Sequence, residues 1–323
     1  MIPFDYIRAA TVEEAARLTA EPGVTLLAGG TNLVDLMREY VRAPRAVVDV
    51  SRLPLGGIEE TGSGLSLGAT ATNTAVADHP IVRERYAALS EAILAGASQQ
   101  IRNRATTAGN ILQCTRDPFY WNTAYGGAEG VGRSRDMSVV DVASARMPVA
   151  YHAVLGLGAN EGGSRAANPS DMAAALALYD PVVAVTGPRG PRTIPYAGFH
   201  RRTGRDPLAE TALEPGDVIT AVILSPAPQG RSGYTKIRER HSYAYALASV
   251  AAHVGPEGTR VAFGSVAPVP WRARAAEAVL AEGGSPADAV AAEFDGTDVP
   301  EPLAFKRPML AGALGTLMQR LEG

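Results

Sequence analysis

Residues Leu26, Leu27, Ala28, Gly29, Gly30, Thr31, Asn32 and Leu33 place two glycines between an apolar run and a helical pattern. Glycine has no Cβ, so the backbone there can approach a ligand closely. The exposed amides from Gly29 to Asn32 form a nest for an anion, supplemented by the Thr31 hydroxyl and the Asn32 amide. This chemistry suits phosphate, although a Gly-Gly pair at a strand end also serves as a plain turn. The spacing is neither G-x-G-x-x-G nor a Walker loop, which removes the nicotinamide-dinucleotide fingerprint. A second run, Gln100 to Leu112, repeats the ingredients: Ala105, Ala108 and Gly109 are small, Thr106 and Thr107 carry hydroxyls, and Arg102, Asn103 and Asn110 flank them. A pyrophosphate has two charges and many acceptor oxygens, so two segments clamping it from both sides point to a dinucleotide.

Two further stretches carry polar groups of the right type. In Asn168 to Ala173, Ser170 and Asp171 precede a helical pattern, and both readings stand: plain caps, or ligand contacts. In Tyr234 to Ala246, Lys236 lies beside Arg238 and Arg240 and is one of only two lysines, the other being Lys306. The five histidines, His79, His152, His200, His241 and His253, have no metal-ligand spacing, and no G-x-S-x-G elbow is present. No metal and no catalytic side chain is assigned.

The elements that must hold these residues follow from pattern. A capping box, Thr11 to Glu14, opens an amphipathic helix; a strand over Val24 to Ala28 ends on Gly29-Gly30, and a helix follows from Asn32 to Tyr40. Short strands are expected at Ala46 to Val50, Gly57 to Glu60 and Leu65 to Ala69, then helices at Thr74 to Asp78 and Val82 to Ala95. Periodicity is lost between Asp117 and Asn168, which predicts long loops. A helix at Ser170 to Tyr179, a hairpin around Gly187 to Gly190 and a strand at Val218 to Leu224 come next. The Pro226 to Gly233 stretch predicts a boundary between a domain over 1–228 and one over 229–323. Strands at Tyr234 to Arg238, Leu247 to Val254 and Val261 to Val266, then three helices, predict a small antiparallel sheet backed by helices.

Composition narrows the class. The chain has 323 residues, 46% hydrophobic and 20% charged, with 30 Lys+Arg against 33 Asp+Glu. Such a near-neutral balance gives no field to gather nucleic acid or an anionic membrane surface. A single cysteine, Cys114, excludes a disulfide scaffold, a multi-thiolate zinc site and a self-contained iron–sulfur cluster. No apolar run approaches the ~18 residues of a membrane span, and the N-terminus does not read as a secretory signal. Membrane insertion is not expected; the cytoplasm is, with the periplasm open only if a partner brings its own signal.

The Phe4-x-Tyr6 start, LLAGGTNL, the Gly68 to Thr70 turn, GASQQIRNRATTAGN, NPSD and KIRERHSYAYALASVAA, in that order, resemble the FAD-binding medium subunit of the molybdenum hydroxylases. Within that group they are most similar to the flavin subunits of bacterial aldehyde oxidoreductases and xanthine dehydrogenases. The resemblance runs from Phe4 to about Leu321. It implies an α+β fold: a two-subdomain FAD-binding unit of vanillyl-alcohol-oxidase (PCMH) type, then a C-terminal domain of carbon monoxide dehydrogenase flavoprotein type. It also implies that residues 28–33 and 106–110 hold the FAD pyrophosphate, that Ser170 and Asp171 approach the ribityl or ribose region, and that Lys236 lies near the flavin. The chain would then pass electrons from [2Fe–2S] clusters of a small partner subunit through FAD to an external acceptor, with molybdopterin in a large partner subunit.

Two departures stand out. Some relatives place a [4Fe–4S] cluster in the loop after TTAGN, with a first cysteine in a TRCP-like sequence. This chain reads Thr115-Arg116-Asp117-Pro118 with no later cysteine, so no such cluster is expected. Asn168 stands where relatives often have His. The aromatics Phe119, Tyr120, Trp121 and Tyr125 suit a flavin contact, a subunit interface or loop packing alike. A stand-alone flavin-dependent oxidase or dehydrogenase of the same fold is the alternative function, with His241 and Tyr243 as its candidate bases.

Overall fold

The computed structural model describes residues 1–116, 149–157, 166–201 and 210–323. The aromatic cluster Phe119 to Tyr125 and most of the expected loop from Asp117 to Asn168 lie outside the described residues.

The chain opens with β1 (Asp5–Arg8), α1 (Val12–Thr19), β2 (Val24–Leu27), α2 (Leu33–Arg38) and β3 (Ala46–Asp49). The three strands make a parallel sheet in the order β1-β3-β2. Thr11 starts α1 by accepting the Glu14 N–H, while the Glu14 carboxylate accepts the Ala10 N–H. This arrangement satisfies two amides that a helix start leaves without partners. Ala15 and Ala16 of α1 bury against Val48 of the central strand, whose four residues are all buried, as befits a parallel strand covered on both faces.

The middle of the chain contributes β4 (Ile58–Thr61), β5 (Gly64–Gly68), α3 (Asn73–Asp78), α4 (Pro80–Arg85), α5 (Ala87–Ala95), α6 (Gln99–Arg102), α7 (Thr107–Ile111), α8 (Asp171–Leu176), β6 (Val182–Gly187), β7 (Gly190–Pro195) and β8 (Val218–Leu224). The strands form an antiparallel sheet in the order β4-β5-β8-β6-β7. Two expectations are corrected here. The single helix predicted from Val82 to Ala95 is broken at Tyr86, whose buried ring meets Tyr179 edge-on at 5.0 Å and whose hydroxyl donates to the Ser225 carbonyl. Anchoring that ring in the core outweighs continuity of the backbone ladder. The run Gln100 to Leu112, read as a second anion-binding segment, is occupied by α7 and all but the first residue of α6.

The last third holds β9 (Arg231–Ile237), β10 (Ala248–Gly255), β11 (Gly258–Gly264), β12 (Trp271–Arg272), α9 (Arg274–Ala281), α10 (Pro286–Glu293) and α11 (Lys306–Glu322). The strands form an antiparallel sheet, β12-β11-β10-β9, with α9 to α11 backing one face as the sequence predicts and α5 and α8 packed on the other. β9 begins at Arg231, so the end of the Pro226 to Gly233 stretch is strand rather than linker. Alternation along β10 sends Ala251 into the core beneath the middle of the chain, while Val250 and Ala252 join Phe263, Leu310 and Leu314. The sheet is thereby glued on both faces.

One charged side chain lies inside this last core. Lys306 is 0% exposed and donates from Nζ to the Ser265 carbonyl at 2.7 Å. Burial pushes its ammonium down to about 7.

Candidate functional site

β2 ends at Leu27 and hands the chain to the turn from Ala28 to Asn32 at the carboxyl end of the parallel sheet, the edge where open α/β sheets take ligands. Gly30 has φ +78, a left-handed conformation that a side chain would strain. At Gly29 a Cβ would stand 1.8 Å from the Arg104 carbonyl oxygen, so only glycine lets the first segment lie against the second. The amides of Gly29, Gly30, Thr31, Asn32 and Leu33 donate to no acceptor among the described residues. Five neighbouring N–H groups without partners among the described residues have the chemistry to receive an anion. Asn32 Oδ1 is held by Arg116 Nη2 at 3.3 Å, and the Arg116 guanidinium lies 5.4 Å from the Tyr245 ring centre.

This turn forms one wall of a cavity of about 800 Å³, lined without a gap from Leu26 to Leu33. That volume suits a large cofactor. Thr106, Ala108 and Gly109 line it from the second segment. A further wall, Leu213 to Ile219, was not anticipated from sequence. Its Glu214-Pro215-Gly216-Asp217 turn is the signal that could have marked it, and Gly216 has φ +85.

The second segment differs in how its donors are used. Thr107 N and Oγ1 both bond the Ala71 carbonyl, Ala108 N bonds the Ala69 carbonyl, Gly109 N is capped by Thr106 Oγ1, and Asn110 N returns to the Thr106 carbonyl. Arg102 Nη1 donates to the carbonyls of Leu94, Gly96 and Ala97, closing the C-terminal end of α5. Asn103 Oδ1 accepts from Thr74 Oγ1 at 2.6 Å. Arg102 and Asn103 thus build the scaffold and are absent from the cavity wall.

Asn110 carries the line of contact onward. Its Oδ1 accepts the Ser170 hydroxyl at 2.6 Å, and Ser170 Oγ in turn caps α8 through Ala173 N. Asn168 holds the Ser170 N–H at 3.0 Å, a role that needs only a short acceptor. Both Asp171 oxygens are occupied, one by the Tyr234 hydroxyl at 2.5 Å and the other by Lys236 Nζ at 2.7 Å. Gly29, Arg104, Thr106, Asn110, Ser170, Asp171 and Lys236 therefore form one continuous seam from the first sheet to β9. Sequence reasoning missed Tyr234.

The remaining candidates are structural. Cys114 is 4% exposed on the cavity wall, its Sγ 3.8 Å from Glu210 Oε2. His200 stays neutral, burial lowering it to about 4, and its Nε2 lies 2.8 Å from the Ile111 carbonyl. Tyr243 is 81% exposed and His241 is exposed beside it, so neither candidate base faces an enclosed site. Among the described residues no group of His, Cys, Asp or Glu is arranged to hold a metal, and no helix is long and apolar enough to cross a membrane.

Comparison with known proteins gives the family. Residues 2–227 match the family model of the FAD binding domain in molybdopterin dehydrogenase. The chain is 45% identical over 297 residues, 88% of its length and 87% of the relative's, to the aldehyde oxidoreductase FAD-binding subunit PaoB of Escherichia coli K12. It is 28% identical over 283 residues, 84% and 77% of the two chains, to the putative xanthine dehydrogenase FAD-binding subunit XdhB of the same organism. In fold it is similar to a chain of carbon monoxide dehydrogenase from Hydrogenophaga pseudoflava, with a TM-score of 0.73 over 100% of this chain and 99% of that one at 24% identity. A chain of a Cu,Mo-CO dehydrogenase aligns with a TM-score of 0.74, over 100% and 99% of the two chains at 22% identity. The protein belongs to the family of FAD-binding domains of molybdopterin dehydrogenases.

Proposed function

We propose that this chain is the FAD-binding, electron-transferring subunit of a molybdenum-containing oxidoreductase of the aldehyde oxidoreductase and xanthine dehydrogenase type. The observation that carries this reading is the row of five amides from Gly29 to Leu33, unpartnered among the described residues, along a cavity of about 800 Å³. They suit a pyrophosphate, with Leu26, Leu27, Ala28, Thr106 and Gly109 completing the walls. In this reading Ser170 and Asp171 approach the ribityl or ribose region and Lys236 the flavin, although none of the three lines the cavity itself. When bound, FAD accepts electrons singly from clusters and releases them in pairs; the protein contributes binding, orientation and charge.

The partners in this reading are a small [2Fe–2S] subunit that delivers electrons and a large molybdopterin subunit that oxidises the substrate. In this reading the unit over 1–228 carries the FAD cradle, and the unit over 229–323 contributes Lys236, which bonds Asp171. The assembly works in the cytoplasm.

The test is expression of the full chain with and without added FAD. One FAD per chain, bound noncovalently with a flavin absorption spectrum, is expected. A folded chain that stays colourless in excess FAD defeats the reading.

A further inference from the structure

Asn32 stands at the N-cap of α2 and does not cap it. Six other helices begin after a serine or threonine, Thr11, Thr72, Ser98, Thr106, Ser170 or Ser285, and each of those hydroxyls accepts the amide three residues on. Asparagine caps a helix as well as serine does, yet the Asn32 side chain makes no such bond. Its Oδ1 is turned instead to Arg116 Nη2 at 3.3 Å. A guanidinium carries only donors, so the atom that faces it is the amide oxygen, and the NH2 group points away from Arg116. Asn32 Nδ2 meets no acceptor among the described residues, and Asn32 lines the cavity beside the open amides of Gly29 to Leu33. Arg116 is itself backed by the ring of Tyr245, from the loop between β9 and β10, with 5.4 Å between the guanidinium and the ring centre.

We propose that Arg116 is a positioning residue for the glycine turn: by holding Asn32 Oδ1 it fixes the amide so that Nδ2, rather than the oxygen, is offered to a diphosphate in the cavity. The inference rests on the FAD reading above and assigns the Asn32–Arg116 pair to the pyrophosphate of that cofactor. The two ends of an asparagine amide are nearly equal in size and opposite in polarity, so an unheld side chain can turn either of them toward a ligand. A pyrophosphate presents ionised acceptors. It repels the amide oxygen and takes a charge-assisted bond from the nitrogen, roughly twice as strong as a bond between neutral groups. Arg116 therefore acts one bond behind the cavity wall, through a residue that lines it.

The experiment measures, on the full-length chain, the affinity for FAD by fluorescence titration and the competition of inorganic pyrophosphate against it. The proteins are the wild type, Asn32→Ala, Arg116→Met, their double variant, Arg116→Lys and Asn32→Asp. Arg116→Met and Asn32→Ala should each weaken FAD about tenfold, the worth of one hydrogen bond to a charged group, and weaken pyrophosphate by the same factor. The double variant should be no weaker than either single one, because Arg116 then has nothing to position. Arg116→Lys, which keeps a charged donor for Oδ1, should stay within about threefold of wild type. A double variant weakened about 100-fold, the product of the two, overturns the proposal, since Arg116 then acts without Asn32. A loss seen for FAD and absent for pyrophosphate overturns it as well. If Arg116→Met does not fold, Asn32→Asp decides: it keeps an acceptor for Arg116 and removes the donor, so affinity should fall at least as far as in Asn32→Ala while the melting temperature holds. Wild-type affinity in Asn32→Asp overturns the proposal. A wild-type chain that takes up no FAD defeats the underlying reading, and the proposal with it; a wild type that binds FAD beside additive variants defeats the proposal alone.

Discussion

The turn from Ala28 to Leu33 and the run from Thr106 to Asn110 share a composition of small, hydroxyl and amide residues, yet they contribute in opposite ways. In the first, the backbone donors are open and line the cavity. In the second, every amide from Thr107 to Asn110 and both threonine hydroxyls are used inside the protein, on Ala69, Ala71, Thr106 and Gly109. The first segment offers open donors to the cavity, and the second is a wall that fixes its position through the close approach of Gly29 to Arg104. Similar residue types therefore predict a similar role only if the acceptors around them are equally scarce. Free donors, rather than the residues that carry them, mark the site.

Substitutions can break this contrast. The largest effect is expected at Gly29→Ala, whose new Cβ would drive into the Arg104 carbonyl and part the two segments. FAD affinity should fall on the order of 100-fold or more in titration calorimetry, with the far-ultraviolet dichroism of the wild type. Retained affinity would mean that the segments do not clamp together.

A pH series tests whether stability and binding separate elsewhere too. Lys306 titrates near 7 in the folded chain, below its ordinary value of 10.5, so between those limits the unfolded chain holds a proton that the folded chain lacks. Stability should therefore rise with pH across that window, by up to about 1.4 kcal/mol per pH unit, and lose no more below it. Lys306→Met should abolish this part of the slope in denaturant titrations and leave FAD affinity within about threefold. An unchanged slope in the variant would assign the pH dependence to other groups.

Thr107→Val isolates the wall. Removing its hydroxyl bond to Ala71 should cost about 1 kcal/mol of stability with FAD affinity barely moved. A loss of affinity larger than the loss of stability would return Thr107 to the binding surface. The smallest effect is expected at Thr31→Ala, about threefold in affinity with no change in melting temperature, because its hydroxyl only supplements the amides.

Much of this was legible in the sequence. Gly29-Gly30 between an apolar run and a helix announces the turn with its open amides, because the backbone freedom belongs to the residues themselves. Period-two strands followed by helical patterns likewise announce the last sheet and its covering helices. What could not be read depends on partners far along the chain. The acceptor that occupies Thr107 lies 36 residues away, and the bond that holds the Tyr86 ring, where the helix breaks, reaches across 139. Asp171 reads as a cap or a ligand until Tyr234 and Lys236 are seen on its two oxygens. The wall from Leu213 to Ile219 joins the site only because β8 pairs with β5 and β6 in the middle sheet while Val218 packs against α1.

The seam that joins the two ends of the site also constrains when the site can exist during synthesis. Ser170 meets Asn110 across 60 residues and Lys236 meets Asp171 across 65, so each link closes a long loop before it brings any reward. A ribosome-bound chain that has exposed only the glycine turn has its open amides but not the rest of the seam. The seam is complete only once β9 has left the ribosome and Lys236 can reach Asp171, that is, in an almost complete chain.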